Sequence, residues 1–361
     1  MTLRRTPLTE IHRTAGAKLT DFGGWEMPIE YPTGVVAEHT AVRTAVGVFD
    51  VSHMGKLVVR GPGAAAALNE ILANDLDRIG AGQAQYSMLL NEGGGVLDDL
   101  IVYRLGDDEL RIVPNAANAA TVRDALIAAL PAGIEVADRH EAEGILAIQG
   151  PQSTSVLGRL NLLAQDTGLE YMSFRTAPVQ GQSVVVCRTG YTGERGYEII
   201  AAAELLPDLW QRVVEQATPC GLGARDTLRT EMGYPLHGQD LSPTISPVEA
   251  GLSWAVGWDK PAFHGREAIV AQRAAGRTRA LRGLVVEGRG VPRAHMAVVH
   301  PDGTAAGVTT SGTFSPTLRT GIALALVDPA LTFGDEVAID VRGRSVPARI
   351  VRLPFVESSP K

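Results

Sequence analysis

The chain has 361 residues, 45% hydrophobic and 20% charged, with 33 Lys and Arg against 40 Asp and Glu. Its length exceeds what one hydrophobic core usually organises, so two or three domains are expected, and no run of about 20 apolar residues is available to span a bilayer. The formal net charge of -7 argues against general affinity for nucleic acid, and the first ten residues lack the apolar stretch of a secretory signal, which points to a cytoplasmic protein.

In chain order, residues 56–60 read as a strand, 63–72 as a helix, 110–114 as a strand, 118–130 as a helix and 183–188 as a strand. Strict β-α-β alternation is missing, and no G-x-G-x-x-G or P-loop fingerprint follows a predicted strand. The pattern is therefore α+β, and nicotinamide, flavin and P-loop readings lose their support. Residues 272–283 are basic and poorly periodic and form the expected linker. Beyond them, residues 284–355 show short apolar runs separated by turn signals at Pro301-Asp302-Gly303, Ser311-Gly312 and Gly334-Asp335. Val337, Ile339 and Val341 alternate with period two, so this part reads as a small all-β barrel or sandwich.

Three stretches carry candidate chemistry. In YSMLLNEGGGVLDDLIVYR, from Tyr86 to Arg104, two apolar runs flank a glycine-rich turn, which predicts a β-hairpin. Side chains alternate along a strand, so Asp98 shares a face with Val96, Leu100 and Val102, and Asp99 shares the other with Leu97, Ile101 and Tyr103. At least one carboxylate then sits among apolar groups, where it is costly unless hydrogen-bonded or used in chemistry; a solvent-facing or turn-stabilising role is the alternative. In TGYTGERGYEII, from Thr189, Gly190, Gly193 and Gly196 would let the backbone pass close to a flat ligand. Glu198 would accept two parallel N–H bonds from a 2-amino-4-oxo heterocycle; a tight turn with a surface ion pair is the plainer alternative. In GLGARDTLRTEMGYPLHG, from Gly221, residues 224–232 suit a helix ending at Gly233. Arg225 and Arg229 then lie four apart, able to clamp a carboxylate or to pair with Asp226 and Glu231.

Metal and hydrolase readings are poor. No histidine has H-E-x-x-H or comparable spacing, no G-x-S-x-G elbow occurs, and the two thiols, Cys187 and Cys220, are far apart. His53 is a conceivable base, although a lone histidine is more often a structural group.

Together these stretches resemble the glycine cleavage T-protein family. The match begins with TPLTEIHRTAGAKLTDFGGWEMPIEY at residue 6 and EHTAVRTAVGVFDVSHMG at residue 38. It continues with NEGGGVLDDLIVYR at residue 91, TGYTGERGYEI at residue 189, CGLGARDTLRTEMGYPLHGQDL at residue 220 and TSGTFSPTLRTGIALALV at residue 310. The resemblance implies an α+β, three-domain fold. Two interleaved α+β domains, one centred on about 52–135, would occupy residues 1–275 around a central folate channel. An antiparallel β-barrel or jelly-roll domain would occupy residues 283–361.

It also implies an aminomethyltransferase that moves a one-carbon unit from the dihydrolipoyl arm of the lipoylated H-protein to tetrahydrofolate, releasing ammonia. Asp98 matches the family's essential aspartate, Glu198 its pterin-recognising glutamate and Arg225 its folate-binding arginine. Tyr86, Asn115, Arg293 and Met54 complete the expected folate-binding set. The sequence departs from relatives at Pro114, where a β-branched residue is usual and Asn115 is expected to be displaced. It departs again at Met232 and His237, which replace a small residue and a tyrosine, and in a tail that lacks a late tyrosine. A stand-alone folate-dependent demethylase and a non-catalytic folate-binding protein are the competing readings; the latter's cysteine-bearing motif is missing from TGYTGERGYE. Arg273, Arg277 and Arg279 are candidates for docking an acidic carrier by their clustering alone.

Overall fold

The computed structural model describes residues 2–163, 169–358 and 360. Strand Glu143–Gln149 is buried at every position, as a strand covered on both faces must be. It lies inside a six-stranded sheet ordered Phe174–Val179, Gln182–Cys187, Gly196–Ala202, Glu143–Gln149, Gly47–Asp50 and Thr218–Pro219. Helix Leu206–Val214 buries Leu206, Leu209, Trp210 and Val213, a spacing that makes one apolar stripe, against Val48, Leu146, Ile148 and Ile199 of this sheet.

The chain leaves the six-stranded sheet after Gly47–Asp50 and returns with Glu143–Gln149, and these two strands pair antiparallel. Between them it builds a five-stranded sheet ordered Gln83–Leu90, Val96–Arg104, Glu109–Val113, Leu57–Arg60 and Glu135–Asp138. Helices Ala64–Asn69 and Ala119–Ala129 cover one face, packing on Leu57, Leu89, Leu100, Val102 and Ile112. The other face turns to the six-stranded sheet, where Ala84, Tyr103 and Val113 meet Phe49, Ala147, Cys187 and Ile200. Alternation along Val96–Arg104 therefore puts Asp98 toward the helices and Asp99 toward the six-stranded sheet.

The predicted hairpin is present, with a register irregularity between Leu89 and Leu90. Its glycines do different things: Gly94 takes φ 81°, while a Cβ on Gly95 would lie 1.9 Å from the Pro243 carbonyl oxygen. The turn is thereby pressed onto the segment that leads toward the barrel, and Val96 N–H donates to the Ser242 carbonyl at 2.9 Å.

The C-terminal strands close into an antiparallel barrel ordered Ala280–Val286, Thr320–Val327, Ala305–Ser315, Ala297–Val299, Glu336–Asp340 and Ser345–Val351. Helix Leu222–Glu231 clasps it. Buried Glu231 accepts from Ser315, Thr317 and Arg43, and buried Arg229 reaches Asp240 at 2.8 Å and Ser311 at 2.8 Å. The helix expected over 63–72 is shorter than its apolar run. The linker expected over 272–283 is not irregular, because helix Arg266–Ala275 runs into it and strand Ala280–Val286 starts inside it. That helix buries only Ile269, so it shows no apolar period in the sequence. No helix among the described residues is long and apolar enough to cross a membrane.

Candidate active site

Asp98 has no exposed surface, yet three donors hold its carboxylate. Asn115 supplies its backbone N–H at 3.0 Å and its Nδ2 at 2.9 Å, and Asn118 supplies Nδ2 at 2.7 Å. Pro114 creates this arrangement, since strand Glu109–Val113 stops before it and the chain turns so that Asn115 faces the hairpin. Asn115 is thus displaced from the strand but onto Asp98. Asn115 Nδ2 also reaches Asp99 Oδ1 at 2.8 Å, and the half-buried Asp99 accepts from Tyr86 OH at 3.1 Å. Burial first, and the Asp99 charge second, push Asp98 above the ordinary carboxylate range, against the pull of Asn118 and Asn115. Asp99 is raised by burial as well, with the hydrogen bonds from Tyr86 and Asn115 opposing. Two adjacent carboxyls in one desolvated place resist losing both protons.

Glu198 lies on strand Gly196–Ala202, opposite Cys187 and Ala147, and turns toward the five-stranded sheet. Its Oε2 accepts from Thr189 Oγ1 at 2.5 Å, and Thr189 is 3.2 Å from Tyr103 OH, so a polar bridge joins the two sheets. Glu198 makes no ion pair among the described residues, unlike the surface alternative. Gly190, Gly193 and Gly196 do not leave room for a flat ligand as expected. A Cβ on Gly190 or Gly196 would strike the Gln149 side chain at 2.1 or 2.3 Å, and one on Gly193 would strike Met232 at 2.3 Å. The approaching group is the protein's own.

Arg225 stands over the Tyr191 ring, with 5.0 Å from Cζ to the centroid. Its Nη1 is buried without a hydrogen-bond partner among the described residues, an arrangement that suits an incoming anion. Burial lowers its pKa, and Glu198 and Tyr191 act in the opposite sense, so these three groups feel one another. Tyr191 in turn is raised mainly by burial and also by Asp99, which ties the arginine end to the aspartate end. Arg229 does not join Arg225 as a clamp. It is spent on Asp226, Asp240 and Ser311, while Glu231 pairs with Arg43.

Tyr86 stacks on Trp254 at 5.6 Å, and Trp254 is 65% exposed, so an aromatic surface opens beside Asp99. Met54 is half-buried and packs with Val113, Ala224 and Leu228 between the sheets. Arg293 is exposed on the loop before Ala297–Val299, and its guanidinium donates to the Gly312 carbonyl at 3.2 Å; none of its hydrogen bonds reaches Asp98, Glu198 or Arg225. His53 is buried and unsuited to act as a base, because burial pulls its pKa well down and its Nδ1 has no partner among the described residues. Of the three candidate docking arginines, Arg279 pairs with Glu249 at 2.8 Å and Arg273 stacks over Trp258 at 4.3 Å. Cys187 and Cys220 are separate buried thiols, and no group of three or more His, Cys, Asp or Glu among the described residues is placed to hold a metal.

Residues 8–260 match the model of the GCVT N-terminal domain, and residues 279–357 that of the Glycine cleavage T-protein C-terminal barrel domain. The chain belongs to the glycine cleavage T-protein family. It is 58% identical over 366 residues to a protein named aminomethyltransferase from Parafrankia sp. (strain EAN1pec), with 99% of each chain covered. It is 53% identical over 362 residues to the aminomethyltransferase of Mycobacterium leprae (strain TN), covering 98% of this chain and 97% of that one. The crystal structure of glycine cleavage system aminomethyltransferase T from Bartonella henselae matches with a TM-score of 0.93 at 36% identity, covering 99% of both chains. The α+β fold with a C-terminal antiparallel barrel expected from the sequence is the T-protein fold found here.

Four residues of this candidate site in the T-protein were not singled out from the sequence: Asn118, Thr189, Tyr191 and Trp254. Asn118 had a signal, because it lies three residues after Asn115 at a helix start, where side-chain amides commonly find partners. Trp254 had none, since its partner Tyr86 is 168 residues away in sequence.

Proposed function

We propose that this chain is the aminomethyltransferase of a glycine cleavage system, acting on the aminomethylated dihydrolipoyl arm of an H-protein with tetrahydrofolate as acceptor. In the transfer, the methylene carbon gives up its bonds to the arm's sulfur and to nitrogen and gains bonds to folate N5 and N10. The two protons that leave the folate nitrogens end on the thiol and on ammonia, so atoms and charge balance.

The observation that carries this reading is the fully buried Asp98, held by Asn115 and Asn118 and flanked by Asp99. Attack by a folate amine places developing positive charge on nitrogen, and a preoriented carboxylate in a dry place stabilises it more than water does. Asp98 orients the attacking amine and meets that charge. Proton transfer is a second role open to it, since its raised pKa brings it toward the working range. Glu198 accepts from the pterin's adjacent N–H donors, and the unpartnered Nη1 of Arg225 takes an anionic group of the folate. Tyr86 and Asn115 serve the folate from beside the two aspartates, which they already bond, and Met54 and Arg293 are assigned to folate binding on the family resemblance.

The test is Asp98→Asn assayed for turnover and, separately, for folate binding. Turnover should fall by at least about 100-fold with the folate Kd within a few-fold of native. Native turnover in this variant would remove the carboxylate from the mechanism.

A further inference from the structure

His237 stands on the loop after helix Leu222–Glu231, distant in sequence from the hairpin, yet it touches the candidate catalytic strand in two ways. Its Nε2 lies 3.0 Å from the carbonyl oxygen of Val96, and its Nδ1 lies 2.9 Å from Asn118 Nδ2. A backbone carbonyl can only accept, so Nε2 must carry a hydrogen. In the neutral ring Nδ1 is then an acceptor, and only the amine end of the Asn118 amide satisfies it. That orientation sends the second N–H of Asn118 to Asp98 Oδ1 at 2.7 Å.

We infer that His237 is a positioning residue that locks the Asn118 amide so that it presents a donor, never its oxygen, to the Asp98 carboxylate. The inference rests on the role proposed for Asp98 and adds how the ionised form of that carboxyl is favoured and aimed. The relay starts from a main-chain carbonyl on the same strand as Asp98, so the strand sets the donor state of the group that faces its own side chain. A side chain at 237 without an acceptor would leave one Asn118 N–H unpaired and let the amide turn. The Asn118–Asp98 bond would then lose one of its two anchors and weaken, and a carboxylate with a poorer donor takes up a proton more readily. The other titratable groups facing this relay are Asp99 on the same strand, Tyr86 on the partner strand, and Tyr191 from the loop before Gly196–Ala202.

The experiment compares native protein, His237→Phe and His237→Asn in the full-length chain. Phe keeps a ring and removes both nitrogens; Asn offers an oxygen near the position of Nδ1. The primary readout is the titration of the Asp98 carboxyl, followed by carbon-13 NMR without substrates and assigned by its loss in Asp98→Asn. The expected result is a midpoint raised by about one pH unit in His237→Phe and returned toward native in His237→Asn. In parallel kcat falls by roughly 10-fold or more in the Phe variant, with the KM for tetrahydrofolate nearly unchanged. A native midpoint in His237→Phe overturns the inference, as does a raised midpoint that His237→Asn fails to restore. If the Phe variant does not fold, His237→Leu takes its place, because it fills the position with a smaller apolar group and offers Asn118 no acceptor. A raised midpoint there supports the relay, and a native one overturns it. Turnover by the native chain judges the functional reading separately, so the two can fail independently.

Discussion

Val96 and Asp98 stand two residues apart on one strand, and a second path joins them through space, from the Val96 carbonyl to His237, from His237 to Asn118, and from Asn118 to the Asp98 carboxylate. The loop is closed at both ends by the same strand. Asp98 is therefore held by groups whose positions follow from the backbone that carries it, which limits its freedom to reorient when a substrate enters.

Such a carboxyl sets a pH dependence. Burial and the Asp99 charge raise Asp98 above its ordinary value near 4, and the ionised form is the one that orients the amine. The kcat/KM should therefore rise with pH through a midpoint well above the ordinary carboxylate range. Stability runs the other way, because a carboxyl raised on folding contributes fully below its unfolded value and loses that contribution as pH rises through its folded value. Melting of the unliganded protein against pH, compared with Asp98→Asn, should show a decline toward alkaline pH in the native chain that the variant lacks. Equal slopes would contradict the raised value.

Glu198→Gln separates recognition from chemistry. One acceptor oxygen becomes a donor and the charge is lost, so pairing with two adjacent N–H groups fails. The folate Kd should rise by roughly 10- to 100-fold, corresponding to about 1.5–3 kcal/mol for hydrogen bonds to a charged group, while kcat at saturation changes little. Equilibrium binding and steady-state kinetics together check this. A fall in kcat with unchanged Kd would place Glu198 in the chemical step instead.

Arg225→Met should act on binding too, by removing the cation over Tyr191 while keeping a long apolar stem. The KM for tetrahydrofolate should rise by about 10-fold or more, and the unliganded variant should be at least as stable as native, because a buried N–H without a partner is lost. Thermal melts and KM values decide it; a large loss of stability would mean that the guanidinium is structural.

Much of this was legible beforehand, and the failures share a cause. Period-two alternation across Asp98 and Asp99 placed them on opposite faces because that rule is local to the strand. The helix ending at Gly233 was legible for the same reason, since Gly233 takes φ 67° just past its end. The helix period also suggested that Arg225 and Arg229 act together, but Arg229 turns to Asp240 and Ser311, partners that no local rule could supply. Glycine spacing at 190, 193 and 196 correctly signalled a close approach. It did not say that Gln149 and Met232 are what approach. Helix Arg266–Ala275 hid in the expected linker because one buried isoleucine makes no period.

Glu231 is a site for testing how the barrel is held. Burial alone would raise its carboxyl, but His39, Ser315 and Arg43 hold it down to about 2. Its contribution to stability is thus complete above the ordinary glutamate value near 4.3 and is lost as pH falls toward 2. Glu231→Gln should destabilise the protein by about 1.5–3 kcal/mol, because the charge-assisted bonds from Arg43 are lost while Arg43 keeps Glu194, and should flatten the acid arm of the stability curve. Denaturant unfolding at pH 3 and pH 7 measures both effects. Unchanged stability at pH 7 would show that the clasp is dispensable.

The central claim is most directly tested by mixing the purified chain with aminomethylated lipoyl H-protein and following ammonia release and 5,10-methylenetetrahydrofolate formation, with and without tetrahydrofolate. The account predicts that the two products appear together in equal amounts, with turnover that depends on folate and is lost in Asp98→Asn. Tight folate binding without ammonia release from the carrier would contradict it.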